Sequence, residues 1–133
     1  MIKIDTSSFV PIYEQVKNQI KRQIGLGICK SNQMLPSIRD MATELLINPN
    51  TVARAYRELE REGFIYTRKG KGCFVADLST AMLEEERCVL LNQIFDEAIE
   101  EGLKFDISHE QLRKIFRERL SSVNKKKEMT QNE

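Results

Sequence analysis

The strongest constraint on the fold is a pair of short amphipathic helices separated by only a few residues. Ser37 and Asn48 are suited to cap the two helices, and Pro49 follows the second cap at the first helical position. Apolar residues recur at helical spacing on both segments: Ile38, Met41, Ala42 and Leu45, then Val52, Ala55, Tyr56 and Leu59. Leu46–Ile47 forms the turn, and Gly63 ends the second helix. This order predicts a helix-turn-helix.

A helix precedes this pair, and a β-hairpin follows it. From Pro11 onward, apolar residues recur at every fourth position: Ile12, Val16, Ile20 and Ile24. This spacing predicts a first helix that Pro11 opens and that Gly25 and Gly27 end. Beyond the helix pair the period changes to two, with strand candidates at 64–68 and 73–75 around a turn rich in lysine and glycine. A hairpin directly after a helix-turn-helix is a wing, so the first part of the chain is predicted to be a winged helix.

Past residue 77 the chain is predicted to be helical again. Ser79 or Thr80 is suited to cap a long helix that Gly102 ends, and Ser108 opens another helix with Gln111 in the capping-box position. The predicted fold class is therefore mainly α with a small β-hairpin. Three parts are expected: a winged helix-turn-helix domain 1–76, a two-helix region 77–123, and a frayed, disordered tail 124–133.

Composition and motifs exclude several classes of protein. With 41% hydrophobic and 31% charged residues, the chain is neither wholly disordered nor a membrane protein, and its start carries no secretory signal, so we expect it in the cytoplasm. Cys29, Cys73 and Cys88 lie far apart, and His109 is the only histidine, so no metal site and no cofactor are expected. No catalytic motif is present, and the chain is predicted not to be an enzyme.

The net charge of +1 is unevenly distributed along the chain. Residues 1–75 hold 12 Lys and Arg against 7 Asp and Glu, a net charge of +5, whereas residues 76–133 carry −4. Such an asymmetry suggests a basic module joined to one that does not bind a polyanion.

The outward face of the second helix of the pair carries side chains suited to DNA. Asn50, Arg54, Arg57 and Arg61 follow one another at i, i+4, i+7 and i+11. Arginine pairs with guanine and asparagine with adenine in the major groove, which admits one α-helix. Helix N-termini at Ser37 and Asn48 favour phosphate, and further basic contacts are expected from Arg39, Arg68, Lys69 and Lys71. Two alternatives remain. The arginine stripe could be a solvated helix face, or the winged helix could be a protein-interaction module that does not bind DNA.

These segments resemble the GntR family of bacterial transcription regulators over roughly residues 9–76. The segments that carry the resemblance are Pro-Ile-Tyr-Glu-Gln-Val at 11–16, Leu-Pro-Ser-Ile-Arg-Asp at 35–40, the run 48–63, and the wing 68–75. Many relatives carry Arg or Ser-Arg where this chain has Asn48–Pro49, and another arginine where it has Ala53. The version Asn-Pro-Asn-Thr is similar to the YtrA-like branch of the family.

The resemblance implies a winged helix that binds double-stranded, palindromic operator DNA as a homodimer. Arg39 matches an arginine that the family uses on DNA, Asn50, Thr51 and Arg54 fall on the recognition helix, and Gly70 falls at the tip of the wing. Arg39, Asn50 and Arg54 are expected to select bases. Steric repression is expected, with two winged helices in successive major grooves. In the YtrA-like branch the regulated genes often encode ABC transporters; the sequence reveals no small-molecule effector.

The C-terminal helices are predicted to form a dimerisation region. They are too short to enclose a ligand pocket of about 300 Å³, but their apolar stripes are large for so small an appendage. The stripes consist of Leu83, Leu90, Leu91, Ile94, Ala98, Leu112, Ile115, Phe116 and Leu120. The alternative is that both helices pack only on their own winged helix.

Overall fold

The computed structural model describes residues 2–131 and contains the elements in the predicted order. The helices of the first part are α1 (Ile12–Gly25), α2 (Ile38–Leu45) and α3 (Pro49–Arg61), and the hairpin strands are β1 (Ile65–Arg68) and β2 (Gly72–Val75). Two longer helices follow, α4 (Thr80–Lys104) and α5 (His109–Gln131). The chain divides into two compact units, Met1–Leu90 and Leu91–Glu133, with the boundary inside α4. The fold is therefore mainly helical, with the two-stranded antiparallel wing after the helix-turn-helix.

The predicted caps set the boundaries of α2 and α3. The Ser37 hydroxyl accepts a hydrogen bond from the Asp40 N–H at 3.0 Å, and Asn48 Oδ1 accepts one from the Asn50 N–H at 2.8 Å. Leu46 ends α2 in the left-handed conformation, with φ of 57°. Pro11 differs from the prediction: its ψ of 146° is extended, so it is the residue before α1 and not the first helical one.

The core of the first unit is formed where α1, α2 and β1 pack on α3. α1 and α2 both pack on α3, whose buried residues are Val52, Ala55, Tyr56 and Leu59. Val16 and Ile20 of α1 are almost completely buried against them. The Tyr56 hydroxyl donates to the Pro36 carbonyl at 2.8 Å, and burial raises the pKa of this phenol because it disfavours the charged form.

The wing is a short antiparallel hairpin with an open tip. Arg68 pairs with Gly72, and the Lys71 N–H donates to the Arg68 carbonyl at 2.9 Å, which closes the turn. Gly70 lies at the third position of this turn with a φ of 80°, a backbone conformation that residues with a Cβ rarely adopt. Phe74 stacks on Tyr66 with ring centroids 5.5 Å apart and so stiffens the strands behind the tip.

The beginning of α4 belongs to the first unit. The Ser79 hydroxyl, and not Thr80, caps the helix by accepting from the Met82 N–H at 3.2 Å. Arg87 Nε donates to the Gly25 carbonyl at 2.9 Å, so it satisfies a carbonyl at the C-terminal end of α1. These contacts carry the first unit beyond the boundary predicted at residue 76.

The second unit consists of the rest of α4, a turn and α5. The Ser108 N–H donates to Gln111 Oε1 at 3.1 Å while the Gln111 N–H donates to the Ser108 hydroxyl at 3.2 Å, which completes the predicted capping box. The prediction that Gly102 ends the helix is wrong: α4 continues to Lys104. Gly102 instead allows a close approach, since a Cβ there would lie 2.7 Å from Leu112 Cδ2.

The segment expected to be a frayed tail is helical for most of its length. α5 continues through residue 124 to Gln131, although no apolar period guides it there. Residues 124–129 are all exposed, and the lysine, glutamate and methionine side chains among them lose little entropy in a helix, which favours the continuation. Residues 132–133 lie outside the described residues.

Candidate nucleic-acid interface

The exposed face of α3 presents the predicted polar side chains. Asn50, Arg54, Arg57 and Arg61 are all exposed, whereas Thr51 and Ala53 are half-buried at the edges of that face. At roughly 100° per residue, Asn50 and Arg57 lie about 20° apart around the helix axis and form one line. Ala53 lies beside that line, on the side where Glu60 accepts a hydrogen bond from the Thr67 N–H of the wing.

Arg54 lies on the opposite side of the line, toward α1. Its guanidinium carbon is 3.8 Å from the centroid of the Tyr13 ring, the distance of a close cation–π contact. Sequence reasoning missed Tyr13 as a member of this surface. The only signal was an aromatic residue in the first turn of α1, which is equally typical of a core position.

The first turns of α2 and α3 carry an exposed arginine and two helix-capping side chains. Arg39 is exposed on the first turn of α2, and no carboxylate among the described residues lies within ion-pair distance of it. Ser37 and Asn48 already bind one backbone N–H each, at Asp40 and Asn50, so those two N–H groups are not available to phosphate as predicted. The remaining N–H groups of each first turn keep the positive end of the helix dipole.

The tip of the wing carries two exposed lysines beside a glycine with open space around it. Lys69 and Lys71 have no carboxylate partner among the described residues, and nothing lies within 4 Å of the position of a Cβ on Gly70. Behind the tip, the Arg68 guanidinium lies 5.9 Å from the centroid of the Phe74 ring. The tip is thus free to approach a polyanion closely.

Glu58 of α3 and Glu62 just after it form ion pairs with α1, and none of the described carboxylates forms an ion pair with the exposed cations of α3. Lys17 Nζ lies 3.1 Å from Glu58 and 3.6 Å from Glu62, and Lys21 Nζ lies 3.1 Å from Glu62. The hydrogen bond from Lys17 lowers the pKa of Glu58. Burial alone would lower the pKa of Lys17, but Glu58 and Glu62 raise it overall. Both groups are therefore kept charged within the fold.

The second unit leaves a broad apolar face exposed. Ile94, Phe95, Ile115, Phe116 and Leu120 each retain 43–51% of their accessible surface. Part of this face is an open groove of about 500 Å³ lined by Phe95, Ala98, Ile99, Leu112, Ile115 and Phe116, flanked by Arg113 and Arg119. Phe95 meets Phe116 edge-on, with centroids 5.8 Å apart. Ile99 and Leu103, which are exposed on the same unit, were absent from the predicted stripe.

Two residues predicted for dimerisation also contact the first unit. Leu83 packs against the core of the first unit, and Leu90 Cδ1 would lie 3.4 Å from a Cβ on Gly25. Arg87 of the same stretch donates to the Gly25 carbonyl, so this part of α4 touches the C-terminal end of α1, and Leu83 and Leu90 are only half-exposed there. Leu91 is exposed and begins the second unit.

Other kinds of site find no support in the part of the chain that the structure describes. No group of three or more His, Cys, Asp or Glu side chains is placed to hold a metal ion there. None of the described helices is long and apolar enough to cross a membrane.

Comparison with known proteins identifies the family and the fold. Residues 12–75 match the family model for bacterial regulatory proteins of the gntR family. The chain is 40% identical to the HTH-type transcriptional repressor YtrA of Bacillus subtilis, over 86% of this chain and 92% of that protein. A GntR family transcriptional regulator from Listeria monocytogenes superposes with a TM-score of 0.68 at 31% identity, covering 86% of this chain and 98% of that one.

Two further solved structures bear on the branch and on DNA. YtrA from Sulfolobus acidocaldarius, a GntR-family transcription factor, is 35% identical over 74% of this chain and 97% of that one, with a TM-score of 0.57. The DNA-binding domain of AraR in complex with operator ORX1 is 28% identical over 55% of this chain and 90% of that one, with a TM-score of 0.51. The chain therefore belongs to the GntR family of bacterial regulatory proteins, as a DNA-binding transcriptional regulator and not an enzyme.

Proposed function

We propose that this regulator is a homodimeric repressor that binds a palindromic operator through its winged helix. The observation that carries the proposal is a set of cations on three separate segments, Arg39, Arg57, Lys69 and Lys71, none of which has a carboxylate partner among the described residues. Cations gathered from separate segments of a fold are typical of surfaces that bind nucleic acid. The related AraR domain is in complex with operator DNA, which supports the same use of the surface here.

Within this surface, base reading and backbone binding fall to different side chains. Arg39 and Asn50 are exposed on the first turns of α2 and α3. In the major groove, arginine would select guanine and asparagine would select adenine. Thr51 and Arg57 extend the contact along α3, and the first turns capped by Ser37 and Asn48 face phosphate. Lys69, Gly70 and Lys71 bring the tip of the wing to the DNA backbone or the minor groove.

The exposed apolar face of the second unit supports dimerisation by a second copy of the chain. Ile115 and Phe116 line the apolar groove, and Ile94 and Leu120 are half-exposed on the same unit, an arrangement typical of surfaces that bind another protein. A symmetric pair would bury this patch and place two winged helices on half-sites about one helical turn of DNA apart. Such a dimer, bound at a promoter, would repress transcription by excluding RNA polymerase. Because the chain resembles the YtrA-like branch, we propose that the regulated genes form an ABC transporter operon.

The test measures binding to the region upstream of the protein's own gene against random duplex of equal length. We expect tighter binding to the upstream region, with affinity falling steeply as salt rises because counterions are released. Arg39→Ala should lower the discrimination between the two duplexes by about 1–3 kcal/mol. Arg117→Ala on α5 removes the same charge outside the winged helix and should leave that discrimination unchanged.

Two results would contradict the proposal. If the protein shows no salt-dependent binding to any duplex, the winged helix serves to dock another protein. If Arg39→Ala discriminates as well as the parent does, the base-reading role given to Arg39 is wrong.

A further inference from the structure

Arg54 lies to one side of the line formed by Asn50 and Arg57 on α3, which bears on whether it faces the bases or the DNA backbone. At roughly 100° per residue, Arg54 lies about 40° from Asn50 and 60° from Arg57 around the axis of α3, on the side of α1. A helix in the major groove presents its forward line to the base edges and its two sides to the phosphate backbones that border the groove. A side chain displaced from the forward line therefore faces a backbone.

The guanidinium of Arg54 is fixed in place by stacking. Its carbon lies over the Tyr13 ring, 3.8 Å from the centroid, so the ring occupies one side of the guanidinium. Stacking leaves the N–H edge of a guanidinium uncovered, and that edge carries the fork of donors that matches two phosphate oxygens. An arginine fixed in this way loses less side-chain entropy when it binds than a freely rotating one does.

Neighbouring carboxylates do not occupy that edge. Glu58 lies one turn further along α3, but its carboxylate accepts from Lys17 Nζ at 3.1 Å. Arg54 contributes to Glu58 only a Coulombic attraction, and no carboxylate of the described residues lies within ion-pair distance of its guanidinium. Its donors are thus available to an external anion.

We propose that Tyr13 is a positioning residue that holds the Arg54 guanidinium against a backbone phosphate at the edge of the major groove. On this proposal, Arg54 sets affinity and register, and the base-selecting role that the sequence suggested for it passes to Arg39 and Asn50. The inference rests on the proposed DNA-binding function and specifies which part of the nucleic acid this pair contacts.

The experiment is a double-mutant cycle in the full-length protein on the operator fragment and on random duplex, over a range of salt. Arg54→Ala should weaken binding to both duplexes equally, roughly tenfold, and reduce the slope of log affinity against log salt by about one. Tyr13→Leu, which keeps apolar volume but removes the ring, should weaken binding roughly two- to fivefold. Added to Arg54→Ala, it should weaken binding no further.

Two conservative variants separate positioning from folding. Tyr13→Phe keeps the ring and should bind as the parent does. Arg54→Lys keeps the charge without the planar fork, so it should weaken binding while the salt slope stays near that of the parent. Circular dichroism of each variant reports whether the winged helix is folded. If Tyr13→Leu unfolds, Tyr13→Gln, which also removes the ring, takes its place in the cycle.

Each contrary outcome is specific. A change of base preference in Arg54→Ala with an unchanged salt slope would make Arg54 a base reader and overturn the proposal. Additive losses from Tyr13→Leu and Arg54→Ala would overturn the positioning role of Tyr13. Absence of duplex binding by the parent protein would instead contradict the proposed function itself, so the two failures are distinguishable.

Discussion

A single side chain, Tyr56, anchors α3 within the winged helix. The Tyr56 hydroxyl ties α3 to the segment before α2 by donating to the Pro36 carbonyl, and Tyr56 itself is buried with only 3% of its surface accessible. The sequence pattern placed Tyr56 on the inner face of α3, but it gave no partner for the hydroxyl. Helical period predicts which residues point inward, whereas the partner of a buried polar group depends on a segment 20 positions away.

Replacing Tyr56 by phenylalanine should therefore destabilise the first unit. The change leaves the Pro36 carbonyl without its partner in a partly buried place, and we expect the free energy of unfolding to fall by about 1–2 kcal/mol. Urea denaturation followed by circular dichroism measures the change. Tyr66→Phe is the matched control, since the Tyr66 hydroxyl bonds Asn32 Oδ1 at an exposed position where water replaces it. Equal losses in the two variants would contradict the role given to Tyr56.

The sequence predicts the order of the helices and strands better than it predicts the contacts between them. The order of helices and strands followed from apolar period and from caps, because both are local properties. The stacking of Arg54 on Tyr13 and the close approach at Gly102 join residues of different elements, so no local pattern contains them. For the same reason the sequence predicts a helix end at Gly102: glycine ends helices and also permits close packing, and only the position of Leu112 decides between these uses.

The ion pairs between α1 and α3 should make stability depend on pH in a defined direction. The pKa of Glu58 is lowered from its ordinary value of 4.5, so its stabilising effect is present above that pH and is lost as the pH falls through the folded-state value. The pKa of Lys17 is raised from 10.5, so its effect is lost only as the pH rises above that value. The pair therefore stabilises the fold at neutral pH and loses its effect on acidification.

A double-mutant cycle of Glu58→Gln and Lys17→Met measures this pair directly. We expect a favourable coupling energy at pH 7 that shrinks well below pH 4.5, where the Glu58 carboxylate becomes protonated. Urea unfolding of the parent, both single variants and the double variant supplies the four free energies. A coupling energy that is the same at both values of pH would show that the contact is not ionic.

At the scale of the whole molecule, the basic excess and the exposed apolar face lie in different parts of the chain. Residues 1–75 carry the net charge of +5, whereas the second unit, residues 91–133, carries the exposed apolar face and holds 8 Lys and Arg against 9 Asp and Glu, so it has no excess of cations to attract a polyanion. Helical period groups Leu83 and Leu90 with that face, but it cannot show that Leu83 also packs against the core of the first unit and that Leu90 lies near Gly25. The part of the stripe that lies within the second unit begins at Leu91.

If this stripe joins two copies, a charge placed in it should separate them. Ile115→Glu puts a carboxylate in the apolar groove, and its burial in an interface would be unfavourable. We expect analytical ultracentrifugation to show the monomer, and operator affinity to fall about a hundredfold or more because the two half-sites no longer act at a shared effective concentration. Phe105→Glu is the control: it introduces the same charge at an exposed residue of the turn outside the groove, and it should leave both properties unchanged. Dimers of Ile115→Glu with undiminished operator affinity would show that the copies associate through another surface.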